Sequence, residues 1–173
     1  MRLRPFICAK DFDVIRDWLP DERMHALWCA DRIAFPMEQG NFEGVMAEIA
    51  GLFDDSPFVA TDDDGKLVGF FCYSLNLASN EGMLKFVIVN PGMRGQGYGK
   101  QMLRLALDYA FRITKADAVH LNVFPENVGA KKCYESVGFT ERDFTPNAFT
   151  YKDESWGRCN MIFRRKHNEK TEF

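Results

Sequence analysis

Nowhere in the 173 residues does an apolar run approach the roughly 18 residues that a membrane-crossing helix requires. The opening MRLRPFICAKDF has basic residues but only a short apolar stretch before Lys10 and Asp11, so it does not read as an export signal. Disulfide signals are missing too. The five cysteines, Cys8, Cys29, Cys72, Cys133 and Cys159, are odd in number, widely spaced and never form C-x-x-C, which points to reduced thiols in a cytoplasmic protein. His25, His120 and His167 lie far apart and form no H-E-x-x-H or similar cluster, so no metal is expected. An excess of positive charge is also absent. Lys and Arg total 22 against 25 Asp and Glu, a net charge of -3, so neither nucleic acid nor an anionic membrane is expected as a partner. Repeats and linkers are lacking. The length and a 46% hydrophobic composition therefore predict one domain over residues 1–165, followed by a polar tail over 166–173.

What is present divides into a helix-rich first third and a strand-rich remainder. Residues 3–8 fit a strand, and Asp11 is placed to cap a helix carrying Phe12, Ile15 and Leu19 until Pro20. A second helix begins with Asp21 and Glu22, and a third runs over 42–53 with Val45, Met46, Ile49 and Phe53 at helical spacing. Residues 57–61 and 66–75 are β-rich and joined by Asp62-Asp63-Asp64-Gly65, a hairpin signal. Residues 83–89 (MLKFVIV) are apolar at every position but Lys85, which predicts a central strand covered on both faces. Beyond Pro91 come a Gly-rich loop, a helix with Leu103, Ala106, Leu107 and Ala110 on one face, and a buried strand over 118–124. A helix from Asn127 to about Val137 is ended by Gly138, and strands over 139–144 and 158–164 close the pattern.

The loop Arg94-Gly95-Gln96-Gly97-Tyr98-Gly99-Lys100 holds the chemistry. Glycines between a buried strand and an amphipathic helix let several N–H groups converge at the helix N-terminus, where a pyrophosphate is stabilised by amide donors and the helix dipole. A Walker A loop would need Ser or Thr after Lys100, where Gln101 stands. The Rossmann spacing fails because the glycines fall at 95, 97 and 99.

Arg94, Gly97 and Gly99 match the R/Q-x-x-G-x-G/A pattern, and Asn127, Ala130, Tyr134, Gly138 and Phe139 match N-x-x-A-x-x-x-Y-x-x-x-G-F downstream. Together the two segments resemble the cofactor motifs of the GCN5-related N-acetyltransferases. The resemblance implies an α/β fold with a mixed, mostly antiparallel central sheet, a splayed strand pair and flanking helices. It implies acetyl-CoA as cosubstrate, with no metal, and an amine acceptor that is a small molecule or a peptide. Val87, Ile88 and Val89 would offer backbone groups to pantetheine and the acetyl carbonyl, and the amides of Gly95, Gln96, Gly97, Tyr98, Gly99 and Lys100 would hold the pyrophosphate. Asn127 has two roles open to it, helix N-cap or contact with the pantetheine region. Tyr134 is either a core aromatic or, as the resemblance implies, the donor of a proton to the departing CoA thiolate.

The implied reaction is direct attack of a neutral amine on the thioester within a ternary complex. Its base is not legible: where some relatives place a carboxylate after the Leu of the post-helix strand, this chain has Asn122, leaving Glu81 and Glu154 as candidates beside a water relay. Trp28, Phe35, Tyr151 and Trp156 are candidate walls for the acceptor where the N-terminal helices meet the 140–157 connection. The acidic balance leans towards a cationic acceptor. A non-catalytic acyl-CoA sensor of the same fold is the alternative; a nucleotide-binding protein would need an acidic ribose partner, for which only Asp117 lies in range. A homodimer is compatible with the sequence, which does not decide oligomeric state.

Overall fold

The computed structural model describes residues 1–165, so the expected polar tail and His167 lie outside the described residues. Seven strands form one sheet in the order β1-β2-β3-β4-β5-β7-β6. They are β1 (Arg2–Pro5), β2 (Ser56–Thr61), β3 (Leu67–Asn76), β4 (Glu81–Val89), β5 (Ala118–Val123), β6 (Thr140–Tyr151) and β7 (Glu154–Arg164). Every neighbouring pair is antiparallel except β4 and β5. Helices α1 (Cys8–Arg16), α2 (Glu22–Cys29) and α3 (Gln39–Phe53) precede β2. Helix α4 (Tyr98–Asp108) joins β4 to β5, and α5 (Val128–Val137) follows β5.

The helices fall on opposite faces of the sheet. Met102, Leu103, Ala106 and Leu107 of α4 and Tyr134 of α5 pack with Phe71, Leu84 and Leu121 into one core. Phe12 and Ile15 of α1, Cys29 of α2 and Phe42 and Ile49 of α3 pack with Phe70, Phe86 and Ile88 into another. Both cores are rich in side chains that are almost wholly removed from water, the main source of folding free energy.

Four boundaries differ from the sequence expectation. Helix α1 begins at Cys8, so Asp11 is not its cap; the carboxylate lies buried inside the first turns, where it accepts hydrogen bonds from the Ile7 amide and from both terminal nitrogens of Arg4. Helix α3 starts at Gln39, because Glu38 and Asn41 close a capping box upstream of Phe42. The connection expected over 140–157 is instead a long β6–β7 hairpin. Strand β4 is not sealed on both faces either: Leu84, Phe86 and Ile88 are buried, while Met83, Lys85, Val87 and Val89 are only half-buried.

That half-open face has two causes. Strands β4 and β5 pair only from Glu81 with Ala118 to Leu84 with Leu121, and beyond this point they splay apart. In addition, β4 carries a bulge opposite β3: Lys85 pairs with Cys72 and Ile88 with Phe70, so Phe86 and Val87 together face Phe71. Phe86 takes a left-handed φ of 51° there, and Trp28 Nε1 donates to its carbonyl oxygen at 2.8 Å. The extra residue reverses the facing of the strand. Leu84 points into the α4/α5 core, and Phe86 and Ile88 point into the α1–α3 core.

Candidate active site

The splay opens two cavities that meet between β4 and β5. One, of about 660 Å³, lies along Val87, Ile88 and Val89, the Gly-rich loop and the start of α5. The other, of about 850 Å³, is lined from α2, α3, α5, β3, β4, β5 and β7. Leu27, Trp28, Val87, Asn127 and Tyr134 line both.

In the first cavity the anion-binding expectation has a local basis. Gly97 caps α4 with φ 85° and Gly95 has φ 76°, left-handed values that a side chain would strain. A Cβ on either would meet nothing within 4 Å, so the backbone is open to a ligand. Gly99 serves packing: a Cβ there would lie 3.2 Å from Cys133 Sγ and 3.4 Å from Val89 Cγ2, where α4 crosses β4 and α5. No side chain caps the first turn of α4, which contains no acidic residue, so its unpaired N–H groups and the positive end of the dipole remain available. Three cations, Arg94, Lys100 and Lys132, line this cavity, and no carboxylate does. Arg94 Nε donates to Val89 O at 3.3 Å, tying the loop to the end of β4. Burial holds its guanidinium below the ordinary value.

Of the sequence-predicted residues, Val87, Ile88, Val89, Arg94, Gly95, Gly97, Gly99, Lys100, Asn127, Ala130 and Tyr134 converge on this cavity. Gln96 and Tyr98 do not line it; they border a separate recess with Asp62 and Asp63, and Gln96 Nε2 donates to Gly92 O at 3.3 Å. Asn127 caps α5, its Oδ1 accepting from the Ala130 amide at 3.3 Å, while lying on the wall shared by the two cavities. Tyr134 is 6% exposed. Among the described residues its hydroxyl makes no hydrogen bond and Asp55 Oδ1 is the only fully buried polar side-chain atom without a partner, so the phenol oxygen keeps some access to the cavities that Tyr134 lines. Burial, then the neighbouring Cys133, raises the phenol well above its ordinary value and keeps it protonated.

Behind the second cavity, whose lining includes Glu81, His120 and Asn122, lies a hydrogen-bond network whose members His120, Arg142 and Asn160 sequence reasoning missed. Arg142 binds Glu81 through 2.8 and 3.0 Å contacts and donates from Nε to Asn160 Oδ1 at 2.8 Å. Asn160 Nδ2 reaches His120 Nδ1, Leu121 O and Asn122 Oδ1 at 3.2, 3.3 and 2.9 Å. Burial, reinforced by Arg142, lowers the His120 pKa. These residues come from four strands, β4, β5, β6 and β7, and no local motif marks them. Glu81 lines the cavity but is taken by Arg142. Glu154 lies outside both cavities; hydrogen bonds from Arg23 and Trp156 Nε1 hold its carboxyl below the ordinary value, a poor setting for a base. Of the four candidate aromatics, Trp28 lines the junction. Tyr151 and Trp156 are buried with Phe124 and Ala26, and Phe35 packs on His25 away from both cavities. Among the described residues no group of three or more His, Cys, Asp or Glu side chains is arranged to hold a metal ion.

Residues 14–139, well over half of the chain, match the model of the acetyltransferase (GNAT) family. The chain belongs to that family. This GNAT protein is accordingly an acetyltransferase. Among curated relatives, 5-NmdU N-acetyltransferase of Pseudomonas phage PaMx11 is 25% identical over 127 residues, 73% of this chain and 86% of that protein. Streptothricin acetyltransferase of Streptomyces lavendulae is 35% identical over 86 residues, 50% of this chain but only 45% of that protein. A crystal structure of spermidine N-acetyltransferase from Vibrio cholerae in complex with CoA and spermine shares the fold, with TM-score 0.78, 22% identity and 94% of each chain covered.

Proposed function

We propose that this acetyltransferase moves the acetyl group of acetyl-CoA directly onto a primary amine, with both substrates bound together. The supporting observation is the pair of cavities that meet at Val87, Asn127 and Tyr134. The first cavity, lined by cations and open amides, takes the CoA phosphates on Gly95 to Lys100 and its pantetheine along Val87 to Val89. The second takes the acceptor.

At the junction the amine lone pair attacks the thioester carbonyl carbon, forming the N–C bond as the C–S bond breaks. A backbone N–H of Val87 to Val89 holds the developing oxyanion, and Tyr134 donates its phenolic proton towards the departing thiolate. Burial keeps the Tyr134 phenol protonated and makes it a weaker acid, so it serves the sulfur chiefly as a hydrogen-bond donor. The amine proton leaves through water in the wide acceptor cavity, since Glu81 is committed to Arg142. The five free thiols fit a cytoplasmic setting.

The test pairs binding with turnover. Acetyl-CoA well above its Kd should raise the melting temperature, corresponding to about 2–4 kcal/mol, and Gly97→Glu should abolish that shift by placing negative charge in the anion site. CoA release with an amine panel then reads transfer. A thermal shift without release from any amine would leave a binding protein and reject catalysis.

A further inference from the structure

The acceptor cavity has a charge pattern that acetyl transfer alone does not explain. Two carboxylates, Asp54 and Glu81, line it against the cations Arg32, Lys85 and Arg158. Glu81 is neutralised by Arg142, Lys85 by the buried Asp55, and Arg32 faces Glu48 at 3.8 Å, so Asp54 and Arg158 are the two lining charges without an ion-pair partner among the described residues. An acceptor with several ammonium groups needs an acidic partner for each nitrogen beyond the reacting one. Here the single unpaired carboxylate, Asp54, is offset by the unpaired, exposed Arg158, so a second ammonium group has no acidic partner left to it.

The wall built from β5 and β7 presents a hydrogen-bond donor. Arg142 Nε can only donate, so the Asn160 atom it touches at 2.8 Å is the amide oxygen. The Asn160 nitrogen therefore faces His120 Nδ1 at 3.2 Å, which keeps Nδ1 unprotonated and puts the ring proton of neutral His120 on Nε2. Nε2 has no partner among the described residues and is not a buried orphan, so its N–H is open to the cavity that His120 lines. Burial, together with Arg142 and Lys85, favours this neutral form. Lys85 gives one ammonium bond to the buried Asp55 and has donors to spare.

We propose that the acceptor is an amine that also carries a carboxylate, received by His120 Nε2–H and Lys85 and selected for its negative charge by Arg158. This rests on the assignment of the larger cavity to the acetyl acceptor.

The experiment measures CoA release by the full chain at saturating acetyl-CoA, using ω-amino acids from β-alanine to 6-aminohexanoate, their amides, and spermidine. At least one carboxylate form should exceed its own amide by about tenfold or more in kcat/KM, with spermidine poorer than both. Arg158→Gln should collapse the carboxylate-to-amide ratio through KM, and His120→Phe should do the same, with partial rescue in His120→Gln, which keeps a donor. Equal turnover of acid and amide, preference for spermidine, or an unchanged ratio in both Arg158→Gln and His120→Phe would overturn the proposal while leaving acetyl transfer intact. Absence of release from every amine would overturn both.

Discussion

The two cavities that share Tyr134 are built in opposite ways. The cavity proposed for acetyl-CoA draws its polar groups from two short runs, 94–100 and 127–136, and relies heavily on backbone: glycines, exposed amides and one helix terminus. The cavity proposed for the acceptor gathers its side chains from seven elements and relies on their hydrogen-bonded arrangement. Backbone recognition suits a ligand that does not change, because most substitutions leave an amide in place. Side-chain recognition lets the acceptor change while the donor site stands. Damage should therefore separate along the same line.

Tyr134→Phe tests the junction and should have the largest effect. It removes the proton donor without changing shape, so kcat should drop about a hundredfold while the acetyl-CoA melting shift is kept. A wild-type kcat would return Tyr134 to the core. Asp11→Asn gives a reference outside both cavities: breaking the buried pair with Arg4 should cost about 2–3 kcal/mol of stability, with kcat unaltered. Burial pushes the Asp11 carboxyl up, but the Arg4 and Ile7 hydrogen bonds outweigh it and hold it below the ordinary 3.8. Its stabilisation is thus complete above that pH and is lost as pH falls through the lower native value. An acid-unfolding curve insensitive to Asp11→Asn would contradict this.

Trp28→Phe removes the indole bond to the bulged Phe86 carbonyl, worth about 1 kcal/mol, and should lower kcat/KM for the acceptor about tenfold. Equal weakening of acetyl-CoA binding would blur the separation of the two sites. Asn127→Ala should cost about 1 kcal/mol as a lost helix cap, read by chemical denaturation. If acetyl-CoA affinity also falls more than tenfold, Asn127 serves the donor as well as the helix.

This contrast also explains what the sequence disclosed. Strands β2 to β5 and helices α4 and α5 were legible within a few residues, because apolar period and glycine punctuation act locally. The Gly-rich turn into α4 was legible for the same reason. Strand β6 was half hidden: Pro146 and Asn147, poor strand residues, sit inside it, tolerated because β6 is an edge strand whose register with β7 shifts between Thr145 and Phe149. His120, Arg142 and Asn160 gave no signal, since they meet only after β5, β6 and β7 have paired.

The bulge at Phe86 has a consequence for how this gene can vary. Up to Lys85 the strand faces the larger cavity, proposed for the acceptor, and from Val87 onwards it faces the smaller one, proposed for acetyl-CoA, because one additional residue turns the chain over between them. Loss of a single codon there would rotate one half of β4 by a full face and exchange core for cavity along its length. Point changes on either side are absorbed by one substrate site at a time, whereas a one-residue deletion would strike both together.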